Sequence, residues 1–569
     1  MRKFTLLFIS LLLASAVSFG QENCVAGEQL PIQLMQQELR RGWKTYQKQK
    51  PPVYYLSYTY TPSSEITLQA SANGLKTNYR GGMRIGEVSV RVGSPAMDNT
   101  RVLKNTGAES VNFVETFLLP QPRPNHSLGF RRAFWEATKI MIERAQTDFH
   151  RVQADTQTSS SRQDNSDDFV FPPKSNFCHM EPVVTVDVAR IKSLLLRLSN
   201  EVRGHQEVLD SSVDFSFIQG TRYFVDSVGT ELVTPILRMR LSYYFYGKML
   251  DGQELSRGKT YDVLTEQELP DEDTIRADMQ QSLKELNELI HGAEAEPVTV
   301  PAILKNRATA VFIHEVLGHR MEGHRQKQDS FGKTFTGKIG QLVTAPFITI
   351  VDDATLAFFK GEPLRGFYEY DDEGVKVRPV TLIENGVLRE FLMSSSPIAG
   401  FAASNGHGRR SRGYSPVARM GVTRLIASQT VSYEELEQKL LEEIKRQRKP
   451  YGYVIDDLSG GFTMTETFFP QVFKLQPKYV YRLYPDGRKE VVRGADIVGT
   501  PLVSFSKILA AADDDAVFNG TCGAESGWVP VSSIAPSILL EALEVEKTEK
   551  SSRKPPILPA PISILKEDK

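Results

Sequence analysis

The chain is sparing with the residues that carry metal and redox chemistry: it has three cysteines and nine histidines among 569 residues. Three cysteines cannot all pair, so at least one stands outside any intramolecular disulfide. Histidine is scarce enough that two close together carry weight. An excess of one charge is also missing. The 68 basic and 69 acidic residues leave a net charge of −1, which removes the electrostatic ground for a nucleic-acid or acidic-membrane partner. Past the N-terminus no apolar run approaches the 20 or so residues that span a bilayer, so no membrane anchor is expected. Internal repeats are absent, and a composition 40% hydrophobic and 24% charged carries no sign of global disorder. The length exceeds what a single core organises, so at least two domains are expected.

What is present begins with a processing segment. Arg2 and Lys3 precede an apolar run over residues 4–17, and Ser18 and Gly20 stand at the −3 and −1 positions before Gln21. This pattern predicts a cleaved signal peptide over residues 1–20 and a mature protein that is periplasmic or extracellular. Gln21, Glu22 and Asn23 do not suit a lipobox ahead of Cys24. In an oxidising compartment Cys24 and Cys178 are candidates for a disulfide, which leaves Cys522 as the spare thiol. A metal would protect that thiol; the bland alternative is a buried, inert cysteine.

Residues 21–295 read as an N-terminal α/β domain. Strand patterns cover 54–60, 86–92 and 213–248, and helical patterns cover 132–149 and 183–198. A polar stretch over 157–168 predicts a mobile loop. Ile275, Met279, Leu283, Leu286 and Ile290 recur at helical spacing after the acids at 271–273, and small residues and prolines over 292–301 mark the domain boundary. Residues 296–550 read as a mostly antiparallel β domain that opens with a helix over 306–320. A capping box at Ser432 and Glu435 starts another helix, and Pro485-Asp486-Gly487 predicts a hairpin turn. Residues 551–569 form a polar, proline-rich tail expected to be flexible. The fold class is therefore α+β.

The chemistry concentrates in His314-Glu315-Val316-Leu317-Gly318-His319. Paired neutral imidazoles hold Zn²⁺, and a glutamate beside the first ligand is placed to accept a proton from water. The interval is one residue longer than in the common H-E-x-x-H. On a regular helix residues i and i+5 lie about 140° apart, against about 40° for i and i+4. A wider π-type turn is therefore expected, with relaxation at Gly318. The bland alternative makes His314 a core histidine on an apolar face and His319 a surface residue. A third ligand does not follow from local spacing: His324 continues the five-residue interval, and Cys522 stands among glycines that permit a tight turn.

Other segments then fall into a known order. The runs Val351-Asp352-Asp353, Tyr370-Asp371-Asp372-Glu373-Gly374 and Leu382-Ile383-Glu384-Asn385-Gly386 are followed by Asn405, Arg409-Arg410, Arg419-Met420 and Val492-Arg493-Gly494-Ala495. Cys522-Gly523 and Val529-Pro530-Val531 close the series. Over about residues 296–545 the chain resembles the TldD/PmbA family of metallopeptidases, whose active members carry an HExxxH motif and a distant C-terminal cysteine. The resemblance implies one zinc per chain held by His314, His319 and Cys522, with Glu315 as the catalytic base. It also implies cleavage of unfolded or extended peptides, inside a homodimer or a heterodimer with a family partner. His324 is left for a supporting or substrate-binding role, and Arg409, Arg410, Tyr414 and His324 are candidates to stabilise an oxyanion. Two rivals are a non-catalytic zinc-stabilised binding protein and a zinc amidohydrolase acting on a non-peptide amide.

Overall fold

The computed structural model describes residues 29–550 except 73, 104–113, 126, 159–163, 250, 328–333, 464 and 466–471. The expected signal segment 1–20, Cys24, the tail 551–569 and the centre of the 157–168 loop lie outside the described residues.

The first half is built on an eight-stranded sheet. Its long strands run antiparallel in the order Gly74–Ser94, Val53–Ser71, Asp210–Asp226, Glu231–Lys248 and Glu254–Val263. Asp226 sets the central reversal: its carboxylate accepts the N–H groups of Val228, Gly229 and Thr230, each at 2.9 Å, and Gly229 takes the left-handed φ of +103°. Helices Leu30–Tyr46 and Leu128–Thr158 cover one part of the sheet with an aromatic core, and helices Val188–Leu198 and Glu272–His291 cover the other. Asp271 caps the last of these by accepting Thr274 N–H at 2.7 Å. The helix expected over 183–198 starts only at Val188, because Asp187 caps Arg190 N–H at 3.0 Å from a non-helical backbone. The described end of the 157–168 segment is anchored: Asp168 pairs with Arg101 at 2.6 Å, and Asp164 accepts Ala399 N–H at 2.9 Å. Two acids buried with partners hold in place a stretch whose polar composition alone predicts a loose loop.

The second half contains two further large sheets. Strand Val298–Leu304 lies inside an eight-stranded sheet, parallel to Gly452–Thr463 and antiparallel to Ile538–Lys547. A six-stranded sheet ends in the hairpin of Ala516–Ala524 and Gly527–Ala535, the former at its edge. Helix Asn306–Val316 packs against Gly452–Thr463 of the first sheet and against that hairpin of the second. Sandwiched in this way it is buried on every side from Ala308 to Val316, as an all-round apolar helix must be. The fold is α+β with mostly antiparallel sheets. Buried ion pairs cross between the halves, among them Glu87 with Arg410 at 2.6 Å.

Candidate metal centre

The ligand helix stops at Val316, and Leu317 turns out of it at φ −111°, ψ −53°. A 3₁₀ turn over Gly318–Met321 follows, closed by Arg320 N–H donating to Leu317 O at 2.9 Å. This corrects the expected π-type turn. A helix that ends between the two histidines is not bound by the helical angle between them. Gly318 serves the turn through space rather than backbone freedom, since a Cβ there would lie 1.9 Å from Met420 Sδ.

The turn swings the His319 ring to 5.1 Å from the ring of His314, nearly perpendicular at 82°. Both face Cys522: His314 Nε2 is 3.1 Å and His319 Nε2 3.3 Å from its Sγ. One ligand atom from each of the three lies within 4.8 Å of the others, and all three residues are buried. Cys522 sits on the edge strand Ala516–Ala524, opposite Val529, not on a tight turn as its glycine neighbours suggest. Those glycines make room for rings: a Cβ on Gly520 would meet Phe518 at 2.7 Å, and one on Gly523 would meet Trp528 at 2.8 Å. Cys178 is disulfide-bonded, whereas Cys522 is the free cysteine among the described residues.

Burial alone would raise the Cys522 thiol, but the charges of His319, His314 and Arg419 hold it well below its ordinary value. Burial likewise opposes a proton on His319, yet Cys522 and Glu322 raise it to about 10. The cluster thus stands as a thiolate facing imidazolium, a charge pattern a divalent cation replaces by displacing protons. Two imidazoles and one thiolate form a donor set that suits zinc over hard cations.

A second ring of side chains holds the first, and the sequence analysis missed most of it. Glu322, with no exposed surface, lies 3.2 Å from His319 Nδ1. Arg325 Nε donates to Glu322 at 2.8 Å and pairs with Glu525 at 2.7 Å. Arg419 Nε lies 3.2 Å from Glu322 without hydrogen-bond alignment, while its Nη2 donates to Cys522 O at 2.7 Å. Burial would raise Glu322, but His319 and Arg325 take it down to about 2. A carboxylate behind a ligating imidazole fixes the ring and its tautomer. The available signal was an acid three residues beyond His319. His314 has no such support: its Nδ1 lacks a hydrogen-bond partner among the described residues.

The cluster opens on a cavity of about 1440 Å³ between the two halves. Glu315 lines it beside His314 and His319, and among the described residues its carboxylate makes no hydrogen bond. The remaining candidates lie elsewhere. His324 is buried 3.4 Å from Glu525, one step behind Arg325. Arg410 is committed to Glu87, and Arg409 donates to Met420 O and covers the Tyr368 ring at 4.6 Å. Tyr414 packs beside Gly527 at the hairpin tip. None of these four lines the large cavity.

Comparison with known proteins gives this geometry its context. The family described as "PmbA/TldA metallopeptidase C-terminal domain" matches residues 297–547, a span that includes both histidines and the cysteine. Over residues 297–547 the chain carries the C-terminal domain of the TldD/PmbA family. It is 30% identical over 254 residues to a protein of Haemophilus influenzae named "Metalloprotease TldD homolog", covering 44% of this chain and 48% of that one. It is 27% identical to a "Zinc metalloprotease TldD homolog" of Saccharolobus solfataricus, covering 45% of this chain and 53% of the relative. The chain therefore spans about half the length of each of these two TldD/PmbA relatives. Beyond that matched region the fold itself extends the likeness. The structure of TldE from Thermococcus kodakarensis superposes with a TM-score of 0.57 at 14% identity, over 90% of this chain and all of that one.

Proposed function

We propose that this protein is a zinc-dependent peptidase that hydrolyses unfolded or extended peptides. The observation that carries the reading is the meeting of two imidazole nitrogens and one thiol within 4.8 Å on the wall of a 1440 Å³ cavity that Glu315 also lines. His314, His319 and Cys522 would hold the metal. Zinc there supplies Lewis-acid polarisation of a carbonyl and lowers the pKa of water toward about 7. Glu315, unengaged and beside the ligands, takes the proton of the attacking water and returns it to the leaving nitrogen. Glu322 holds His319 in the tautomer that offers Nε2.

The strand that carries Cys522 favours an extended substrate. It is an edge strand, and Val517 O and Asn519 O on its outer side accept Arg307 at 2.8 Å and Arg240 at 3.2 Å. By strand parity the main-chain groups of Thr521 and Gly523 face that same side. They stand next to Cys522 and open to pairing with a peptide backbone. The two arginines cap the edge on one side of the metal cluster and so limit how far a bound strand runs.

The decisive experiment measures metal content and cleavage of an unfolded peptide library for wild type and Glu315→Gln. One zinc per chain in both, with cleavage only in wild type, is expected. Cleavage at the wild-type rate by the variant would remove Glu315 from its role, and metal-free protein would remove the reading altogether. Export and dimerisation belong to the same proposal. The disulfide at Cys178 supports an oxidising compartment, and kinship with the family supports a dimer with itself or a family partner. A mature N-terminus other than Gln21, or a monomeric mass by light scattering with and without such a partner, would count against them.

A further inference from the structure

Behind the cysteine hairpin lies a second cavity of about 420 Å³, near the lower end of the range for small-molecule sites. One wall is a bare length of strand. Along one edge, Glu231–Lys248 pairs with Asn176–Cys178 as far as Val233 and with Glu254–Val263 from Met239 onward. Among the described residues, 234–238 have no strand partner on that edge. The second half of the chain closes over this gap with Phe358, Phe367, Tyr370 and Trp528.

Arg238 enters this space from the bare strand, and among the described residues its guanidinium makes no hydrogen bond or ion pair. Its charged surroundings do not compensate it. Arg365 and Arg409 act against its charge, and the acid that favours it, Asp372, is already paired with Arg222 at 3.0 Å. The other acids around the cavity are also engaged. Asp262 pairs with Arg240 at 2.7 Å and Glu87 with Arg410 at 2.6 Å, while Glu369 and Glu181 share His179 at 3.0 Å and 3.4 Å. Asp371 accepts the N–H groups of Glu373, Val375 and Gly408. Burial first, then the two neighbouring guanidiniums, push Arg238 down to about 10. A partly buried guanidinium without a counter-charge carries a desolvation cost, and a bound anion offsets it.

We propose that this cavity binds the carboxylate of a small amphiphilic acid, such as an N-acylated amino acid or a short peptide ending in an apolar residue. The Arg238 fork takes the carboxylate, and the aromatic wall takes the apolar body. A monoanion suits the unpaired Arg238 fork, whereas Asp372, Glu369 and Glu181 on the same lining disfavour a phosphate dianion. The site is separate from the metal cluster and stands whether or not the peptidase reading holds.

Isothermal titration of the full chain in its Glu315→Gln form with N-acetyl-phenylalanine, and with the corresponding amide, tests this. The acid is expected to bind one per chain, and the amide about ten- to a hundredfold more weakly, the worth of a charge-assisted pair. Arg238→Gln and Arg238→Met should lose the same factor for the acid without lowering the thermal midpoint, since Arg238 has no partner to strand and its charge is uncompensated. Treatment with a chelator should leave binding unchanged. No binding of the acid, equal binding of acid and amide, undiminished binding by both variants, or loss of binding on chelation would each overturn the proposal.

Discussion

Replacing Glu322 with glutamine keeps the shape of a fully buried side chain and removes the charge that three cationic groups share. His319 Nδ1 and Arg419 Nε each lie 3.2 Å from the carboxylate, and Arg325 Nε lies 2.8 Å away. Arg325 retains Glu525 at 2.7 Å. Arg419 retains only neutral acceptors, namely Ser526 Oγ at 2.9 Å, Gly527 O at 3.1 Å and Cys522 O at 2.7 Å. Because Glu322 is held down to about 2, it is ionised at every working pH, so the variant removes a real charge. Breaking a buried pair from one side costs about 3–5 kcal/mol, with the upper end softened here because Arg325 keeps a partner. Loss of a carboxylate behind a ligating histidine costs about 10–100-fold in metal affinity, or ~1.4–2.8 kcal/mol. Urea unfolding of metal-stripped protein reads the first loss, and competition with a chromophoric chelator reads the second. If the variant unfolds at the wild-type urea midpoint and competes for zinc as well as wild type does, Glu322 neither stabilises the cluster nor orients His319.

Three further outcomes are expected. Cys522→Ser should bind little zinc at neutral pH, since a serine hydroxyl is a poor ligand where a thiolate was held ready; full zinc content by elemental analysis would move the third ligand elsewhere. Gly461→Ala would put a Cβ 2.4 Å from Leu475, 2.9 Å from Lys474 O and 3.0 Å from Glu315 Cγ. Displacing Glu315 by even 1 Å predicts a kcat lower by about 100-fold with zinc retained, and an unchanged kcat would show that Glu315 has slack. Burial would raise Glu87, but Arg410 and the N–H of Gly413 hold it below its ordinary value. Its contribution is therefore present above the unfolded carboxylate value of about 4.3 and is lost as pH falls through its folded value. Glu87→Gln should cost about 3 kcal/mol at neutral pH, and the gap from wild type in urea midpoint should narrow below about pH 4; a constant gap would refute the assignment.

How much of this was legible in the sequence depends on how far each cause lies from its effect. The hairpin at residues 485–487, the Asp271 and Ser432 caps and the apolar stripe of Glu272–His291 are local, and the residues that form them announce them. The end of the ligand helix is not local. Gly318 and Leu317 look like a continuing helix until Met420, about a hundred residues on, occupies the space that a side chain at position 318 would need. Glycines mislead for a related reason. Gly520 and Gly523 read as turn residues, whereas the structure uses them as bare strand under Phe518 and Trp528, and the turn falls later, where Gly527 takes φ +80°.

The arginines show the same limit from the other side. Arg409 and Arg410 stand in a segment shared with the family, so their charge invites a role at the reaction centre. Their chemistry is spent elsewhere, Arg409 on Met420 O within the second half and Arg410 on Glu87 across the halves. The charges that do serve the metal cluster, Glu322 and Arg325, lie within six residues of His319 but carry no local mark of function. Their meaning comes from Arg419 and Glu525, which arrive from other elements and turn an ordinary acid–base run into a closed, buried network. A motif can therefore name the ligands of such a site from sequence, while the residues that set their geometry become visible only once distant segments are brought together. That is why the variant expected to separate ligand support from ligand identity is Glu322→Gln rather than a change at either histidine.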